Sequence, residues 1–235
     1  TVLPGTIELV IDQMVTGESA EIEVRARVVN AANSNAGDSF TNTATYRYAN
    51  SDGGPLILGG SDTTTDAVTL IEPELAVTQT VANITQPGLA PDAGDILRYT
   101  VTLSAAGGLP VGDLFSDAFD VSLSNALSLG LAYNGNVTVN GAGNTIAAAT
   151  VTGDGINTAQ TLSWSSDNGN ADIDVAEGTN VVVTYDLVVL DSAAATQNLS
   201  NTLNIQWTGL DGVNANERDG SAADTPPGPA FNDYF

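Results

Sequence analysis

The stretch LRYTVTL at residues 97–103 alternates apolar and polar side chains at every position. Because successive side chains of a β-strand point to opposite faces, its apolar residues fall on one face and its polar residues on the other. This pattern is typical of a strand buried on one side. The same alternation recurs at 75–81, 181–189 and 203–207, and segments rich in Gly and Asn separate the alternating stretches. The sequence therefore predicts an all-β fold.

The charge balance is strongly acidic. The chain has 235 residues, with 28 Asp and Glu against five Lys and Arg, a net charge of −23, and no histidine or cysteine; all five basic residues are arginines. Proteins bind phosphate backbones and anionic lipids mainly through cationic side chains, so we expect neither nucleic acid nor a membrane surface as a partner. No stretch approaches the roughly 18 apolar residues of a membrane-spanning helix, so membrane insertion is not expected.

An internal repeat links the two ends of the chain. Residues 18–53 match residues 177–212 at a constant offset, so that Asn42 corresponds to Asn201 and Asp52 to Asp211. The apolar alternation between these positions is also shared, which predicts the same two strands in both copies. In the first copy these strands are expected at 22–29 and 40–48.

The repeat predicts the domain layout. We expect residues 1–71 to be the closing half of one repeat and residues 72–235 to be a complete repeat. A closing half alone would leave apolar side chains such as Val24 and Phe40 in water. We therefore expect another copy to cover them in a head-to-tail contact, or strands upstream of Thr1 to do so in a longer chain.

Several motifs in the second unit combine turn residues with apolar residues that are expected to face a core. They are ELAVTQT at 74–80, DAGD at 92–95 leading into 97–102, DAFDV at 117–121, LSNT at 199–202 with IQW at 205–207, ERDG at 217–220 and NDY at 232–234. Together they resemble the immunoglobulin-like conserved repeat of giant bacterial surface proteins, known as domain of unknown function eleven. The resemblance implies immunoglobulin-like β-sandwich repeats in tandem, in an exported adhesin, stalk or envelope protein.

We do not expect an enzyme, because the side chains that supply most general bases and covalent nucleophiles are His, Cys and Lys, and all three are absent. Paired carboxylates remain as an option, but adjacent carboxylates arise by number alone in so acidic a chain. The absence of lysine also excludes the intramolecular isopeptide bonds that stabilise many bacterial surface domains.

Calcium is the cofactor that the sequence suggests, because hard cations prefer several carboxylate, amide and carbonyl oxygens. Two oxygen-rich loops are candidates, the first with Asp167, Asn170, Asp172 and Asp174, and the second with Asp211, Asn214, Asn216 and Asp219. Neither fits the EF-hand pattern. The alternative is that these residues form solvated Asx turns.

Four residues are predicted to have structural roles. Asn42 and Asn201 fall on the apolar side of their strands, which favours an amide that fastens neighbouring backbone over one that binds a ligand. Tyr48 and Trp207 occupy equivalent positions on an inward stripe, so we expect them to pack in a core rather than stack on sugars.

These observations predict a structural or adhesive repeat unit of a secreted bacterial surface filament, adhesin or envelope layer. Its expected partners are other copies or adjacent repeats of itself, joined end to end or by strand complementation. The alternative is an extracellular glycan- or surface-binding module that uses the loops at one end of the sandwich.

Overall fold

The computed structural model of the chain describes residues 7–26, 37–63, 67–105 and 116–212, and within these ranges it contains fourteen β-strands and no helix. The first four strands are β1 (Ser39–Phe40), β2 (Thr43–Tyr48), β3 (Ile57–Thr63) and β4 (Val68–Thr69). The others are β5 (Leu75–Asn83), β6 (Ile96–Ala105), β7 (Phe119–Leu127), β8 (Leu131–Val139), β9 (Thr145–Ile146), β10 (Thr150–Thr152), β11 (Thr161–Trp164), β12 (Ala171–Asp172), β13 (Asn180–Val189) and β14 (Asn201–Thr208). None of the described residues forms a helix able to cross a membrane.

Strands β5 to β14 build a two-layer sandwich. One four-stranded sheet has the order β5-β6-β13-β8, and the other has the order β10-β11-β7-β14. Neighbouring strands are antiparallel in both sheets. Strands β9 and β12 form a separate small ladder. The predicted all-β, immunoglobulin-like sandwich is confirmed in this architecture, while its tandem repetition stays a prediction.

Apolar side chains from the two sheets meet in one continuous core. The four apolar residues of LRYTVTL lie on β6 and are at most 5% exposed, whereas Arg98 between them is exposed, so the predicted alternation is confirmed. The centre of the core is aromatic. Tyr185 stacks on Tyr99 with ring centroids 5.6 Å apart, and the Trp164 ring lies 5.1 Å from Tyr185.

Residues 7–71 differ from the sandwich because their strands form only two-stranded ladders, β1 with β4 and β2 with β3. Strand β2 lies within the predicted strand at 40–48. The strand predicted at 22–29 is wrong over its described part, since residues 22–26 are in no strand, and residues 27–29 lie outside the described ranges. The equivalent strand β13 has β6 and β8 on its two sides. No strand among the described residues pairs with 22–26, and an unpaired strand is unstable in water. The domain boundary at 71/72 stays a prediction.

The β2–β3 hairpin depends on a contact between an aromatic ring and glycine. Tyr46 lies opposite Gly60 in the ladder, at a register shift between Tyr46 and Arg47. A Cβ atom at the adjacent Gly59 would overlap the Tyr46 ring. A side chain at Gly59 would therefore displace the ring from the hairpin.

Candidate functional site

An acidic groove of about 430 Å³ lies where the β9–β12 ladder meets the start of β7 and the end of β14. Its lining includes Asp120, Asp172 and Asp211. The sequence predicted Asp172 and Asp211 as members of two separate loops, and the fold brings them to one groove. Asp120 was not predicted, because it reaches this groove only through the pairing of β7 with β14.

Backbone amides tie these carboxylates together. The Asp120 amide donates to Asp174 Oδ1 at 3.1 Å, and the Gly212 amide donates to Asp120 Oδ2 at 2.9 Å. Asp120 itself has a φ of 49°, in the left-handed region that Asp tolerates better than most residues. We call Asp120, Asp172, Asp174 and Asp211 the acidic cluster.

The acidic cluster makes the ionised form of Asp174 unfavourable. Burial raises the pKa of Asp174, and repulsion from the other three carboxylates raises it further, while the hydrogen bond from the Asp120 amide opposes the rise. Both raising effects disfavour the ionised carboxylate. Protonation or a bound cation would relieve this cost.

The other residues of the first predicted calcium loop do not join the cluster. Asp167 is exposed and does not line the groove. The Asn170 side chain instead fastens the loop, since Nδ2 donates to the carbonyls of Ala148 and Ser163 and Oδ1 accepts from the Ser165 amide. The side-chain amide of Asn170 therefore has a structural role in this loop.

No group of three or more His, Cys, Asp or Glu side chains within the described ranges is arranged to hold a metal ion. In the second predicted loop, Asn214, Asn216 and Asp219 lie outside the described residues. Calcium binding stays a prediction.

A polar network crosses the centre of the core. The Tyr185 hydroxyl donates to Asn125 Oδ1 at 2.8 Å and accepts from Asn201 Nδ2 at 2.7 Å. Asn125 and Tyr185 are fully buried, and Asn201 is half-buried. Asn201 thus bonds a core side chain rather than the loop backbone that we expected. Asn125 was missed, although alternation along β7 places it on the inward face with Leu123 and Leu127.

An ion pair between exposed Arg98 and buried Asp186 joins β6 to β13. Arg98 and Asp186 are cross-strand partners, and the guanidinium donates from Nε to Oδ1 at 2.8 Å and from Nη2 to Oδ2 at 3.0 Å. Asn136 Nδ2 also donates to Asp186 Oδ2, at 2.8 Å. The hydrogen bonds from Arg98 lower the pKa of Asp186, burial opposes this, and Asn136 lowers it further. The buried carboxylate is therefore held in its charged form.

Of the two aromatic residues predicted to pack in a core, Trp207 is buried and Tyr48 is exposed. Trp164 and Trp207 are both buried, so neither presents a ring for sugar stacking. The described lining of the acidic groove has no aromatic ring, so this groove offers no surface for sugar stacking. Tyr48, expected to face a core, is 46% exposed, because no sheet among the described residues packs on β2. Asn42, just before β2, is exposed as well.

A second groove of about 430 Å³, which we call the seam, runs between β5 and β14 where the two sheets meet at their edges. Side chains bridge it in two places, because Gln79 Nε2 donates to the Asn201 carbonyl and Trp207 Nε1 donates to the Pro73 carbonyl, both at 3.3 Å. The seam is lined by Leu75, Val77, Ser122, Ser124, Leu203, Asn204, Ile205 and Gln206.

The two antiparallel sheets and the apolar core between them define a β-sandwich domain. No protein-family model matches the chain, and no curated protein matches it. The resemblance to domain of unknown function eleven therefore stays a prediction.

Among solved structures, the chain is similar to the pilus backbone protein RrgB of Streptococcus pneumoniae. One RrgB structure is 19% identical, with 58% of this chain covering 53% of that one at a TM-score of 0.34. A full-length RrgB structure is 16% identical, with 76% of this chain covering 30% of that one at 0.38.

The T6 backbone pilin of Streptococcus pyogenes is 16% identical, with 70% of this chain covering 35% of that one at a TM-score of 0.31. The chain thus spans from about a third to about half of these pilins. At TM-scores below 0.5, the similarities do not place the chain in their family.

Proposed function

We propose that the chain is a structural or adhesive repeat unit of a bacterial surface filament, adhesin or envelope layer, located outside the cell. The observation that carries this proposal is the uneven distribution of exposed apolar side chains. Sixteen of the 24 large apolar side chains that are exposed among the described residues lie within residues 7–71. A surface of this kind marks a place where another protein segment binds.

The remainder of the chain has the properties of a rigid spacer. Its core is continuous, the hydroxyl of its central Tyr185 is hydrogen-bonded to Asn125 and Asn201, and a bidentate ion pair joins β6 to β13. Absence of lysine, histidine and cysteine removes most catalytic chemistry from the proposal. Such a unit is suited to extending a surface structure and linking the neighbouring units in it.

The proposed contact is head to tail. The exposed apolar surface of one copy belongs to residues 7–71, whereas the grooves that could receive it belong to residues 72–212. A contact between two different surfaces does not close on itself unless its rotation forms a ring, so it generates an open filament. Copies with a net charge of −23 repel one another, and salt or a bound cation would reduce that repulsion.

Sedimentation velocity across a range of protein concentrations, followed by negative-stain imaging, tests the proposal. We expect species that lengthen with concentration, and filaments of a regular repeat. Leu58→Asp on β3 should weaken association, whereas the matched change Leu129→Asp on the sandwich should not, since both side chains are exposed but only Leu58 lies within residues 7–71. A chain that stays monomeric at every concentration would refute the proposal.

We also propose that calcium binds in the acidic groove and contributes to stability or assembly. Asp120, Asp172 and Asp211 line this groove, and their repulsion of the neighbouring Asp174 carboxylate is a cost that a bound cation would reduce. Calcium accepts six to eight oxygen ligands in flexible geometry, so backbone carbonyls and water would complete the set.

A further inference from the structure

Residues 7–15, which we call the arm, form an apolar segment that pairs with no strand among the described residues. Six of its nine side chains are large and apolar, and these are 45–83% exposed: Ile7, Leu9, Val10, Ile11, Met14 and Val15. The arm ends at a turn in which the Glu18 amide donates to the Val15 carbonyl at 3.0 Å. In an extended arm, Ile7, Leu9 and Ile11 would share one face.

The seam has the properties of a site for an added strand. Among the described residues β5 pairs only with β6 and β14 only with β7, so both are edge strands there. Val77 is exposed at the seam, and Leu75 and Leu203 are only partly buried there. The part of the chain that the structure describes contributes no charged side chain to the lining of the seam. Two copies with a net charge of −23 each repel one another, and a second copy that binds at the seam meets less electrostatic repulsion there than at a charged surface.

The backbone of β14 adds hydrogen-bonding groups to the seam. The Asn201 carbonyl accepts from Gln79 across the seam, so it points away from β7. Peptide groups of alternate residues point to the same side of a strand. Leu203 and Ile205 therefore present their amides and carbonyls to the seam, where an incoming strand could pair with them.

We propose that the arm of one copy docks in the seam of a second copy as an added β-strand. This inference rests on the proposed function and names the two surfaces that join. The arm's nine residues match the eight of β14 in length, and its apolar face would meet the apolar wall of the seam while Glu8 and Asp12 face water. The face toward the seam carries Ile7, Leu9, Ile11 and Val15, and burying these four side chains removes roughly 250–500 Å² at about 60–120 Å² each. This is about a third to three fifths of the roughly 800 Å² that each partner contributes to a specific interface.

Disulfide trapping tests the proposal cleanly, because the chain has no cysteine. Leu9→Cys is placed on one copy and Val77→Cys on a second copy of different tagged mass, so only contact between copies can join them. The control replaces Val77→Cys with Val151→Cys. Val151 is 38% exposed, against 39% for Val77, but it lies on β10, at the opposite edge of the sheet from β14.

We expect the Leu9–Val77 heterodimer to exceed the control by at least about tenfold, because docking would hold the two thiols at millimolar effective concentration. Adding Ile11→Asp to the arm should reduce this yield, while buried-Trp fluorescence shows that the sandwich stays folded. Equal yields in the two mixtures would overturn the inference. If the unmodified chain still associates, the proposed function survives that result, and if it stays monomeric, both fail.

Discussion

Replacing Tyr185 with Phe tests the polar network at the centre of the core. The change removes only the hydroxyl that donates to Asn125 and accepts from Asn201. Each buried polar atom left without a partner costs about 1–3 kcal/mol. Asn125 is fully buried, whereas half-buried Asn201 can recover part of its loss from water. We therefore expect a loss of about 2–4 kcal/mol in the free energy of unfolding.

Urea unfolding followed by tryptophan fluorescence measures this loss, because both tryptophans are buried in the sandwich. With a slope of about 2 kcal/mol per molar urea, the midpoint should fall by roughly 1–2 M. Tyr99→Phe is the matched control, since Tyr99 stacks on Tyr185 in the same core and its hydroxyl takes no part in these two bonds. A Tyr185→Phe variant within about 0.5 kcal/mol of the control would show that the network does not stabilise the fold.

Two further changes probe the charged groups. Arg98→Ala should cost about 1.5–3 kcal/mol, because it removes both hydrogen bonds of the cation and leaves buried Asp186 with the bond from Asn136. In the parent chain the lowered pKa of Asp186 gives stability that is complete above about pH 3.9 and is lost as pH falls through the folded pKa. In Arg98→Ala the pKa of Asp186 should rise, because burial is then opposed by Asn136 without Arg98, so urea midpoints measured from pH 3 to 7 should lose this contribution; an unchanged profile contradicts the assignment. Asp174→Asn should raise stability by about 0.5 kcal/mol at pH 7 without calcium. The raised pKa of Asp174 makes its ionisation in the folded state costly, a cost that is absent at low pH and grows as pH rises through the folded pKa. The same variant should lose the rise in melting temperature that millimolar calcium gives over EDTA at matched ionic strength, and a retained rise would place calcium elsewhere.

Alternation along single strands made the sandwich predictable. The stretch LRYTVTL required one buried face, and β6 provides it. The 159-residue offset likewise placed β2 correctly within 40–48. The strand at 22–29 could not be judged in this way, because local alternation states what a strand would bury but not whether a neighbour exists to pair with it.

The candidate sites were less predictable because they bring together residues that are far apart in the sequence. Asp120 approaches Asp174 and Gly212 only through the pairing of β7 with β14 and its approach to the loop after β12. The amide of Asn170 could equally have bound an ion or fastened its loop, and only the three-dimensional positions of its backbone partners distinguish these roles. The seam depends on which strands become edges, which is a property of topology rather than of any one segment.

Hydrogen exchange as a function of protein concentration tests most directly the claim that residues 7–71 are covered by another copy. At low concentration we expect rapid exchange over the arm and residues 19–26, and slow exchange in β6 and β13 at the centre of the sandwich. As concentration rises, protection should increase over the arm and at Leu203 and Ile205, while that of β6 and β13 stays constant. Protection of the arm that is the same at every concentration, whether low or high, would contradict the account.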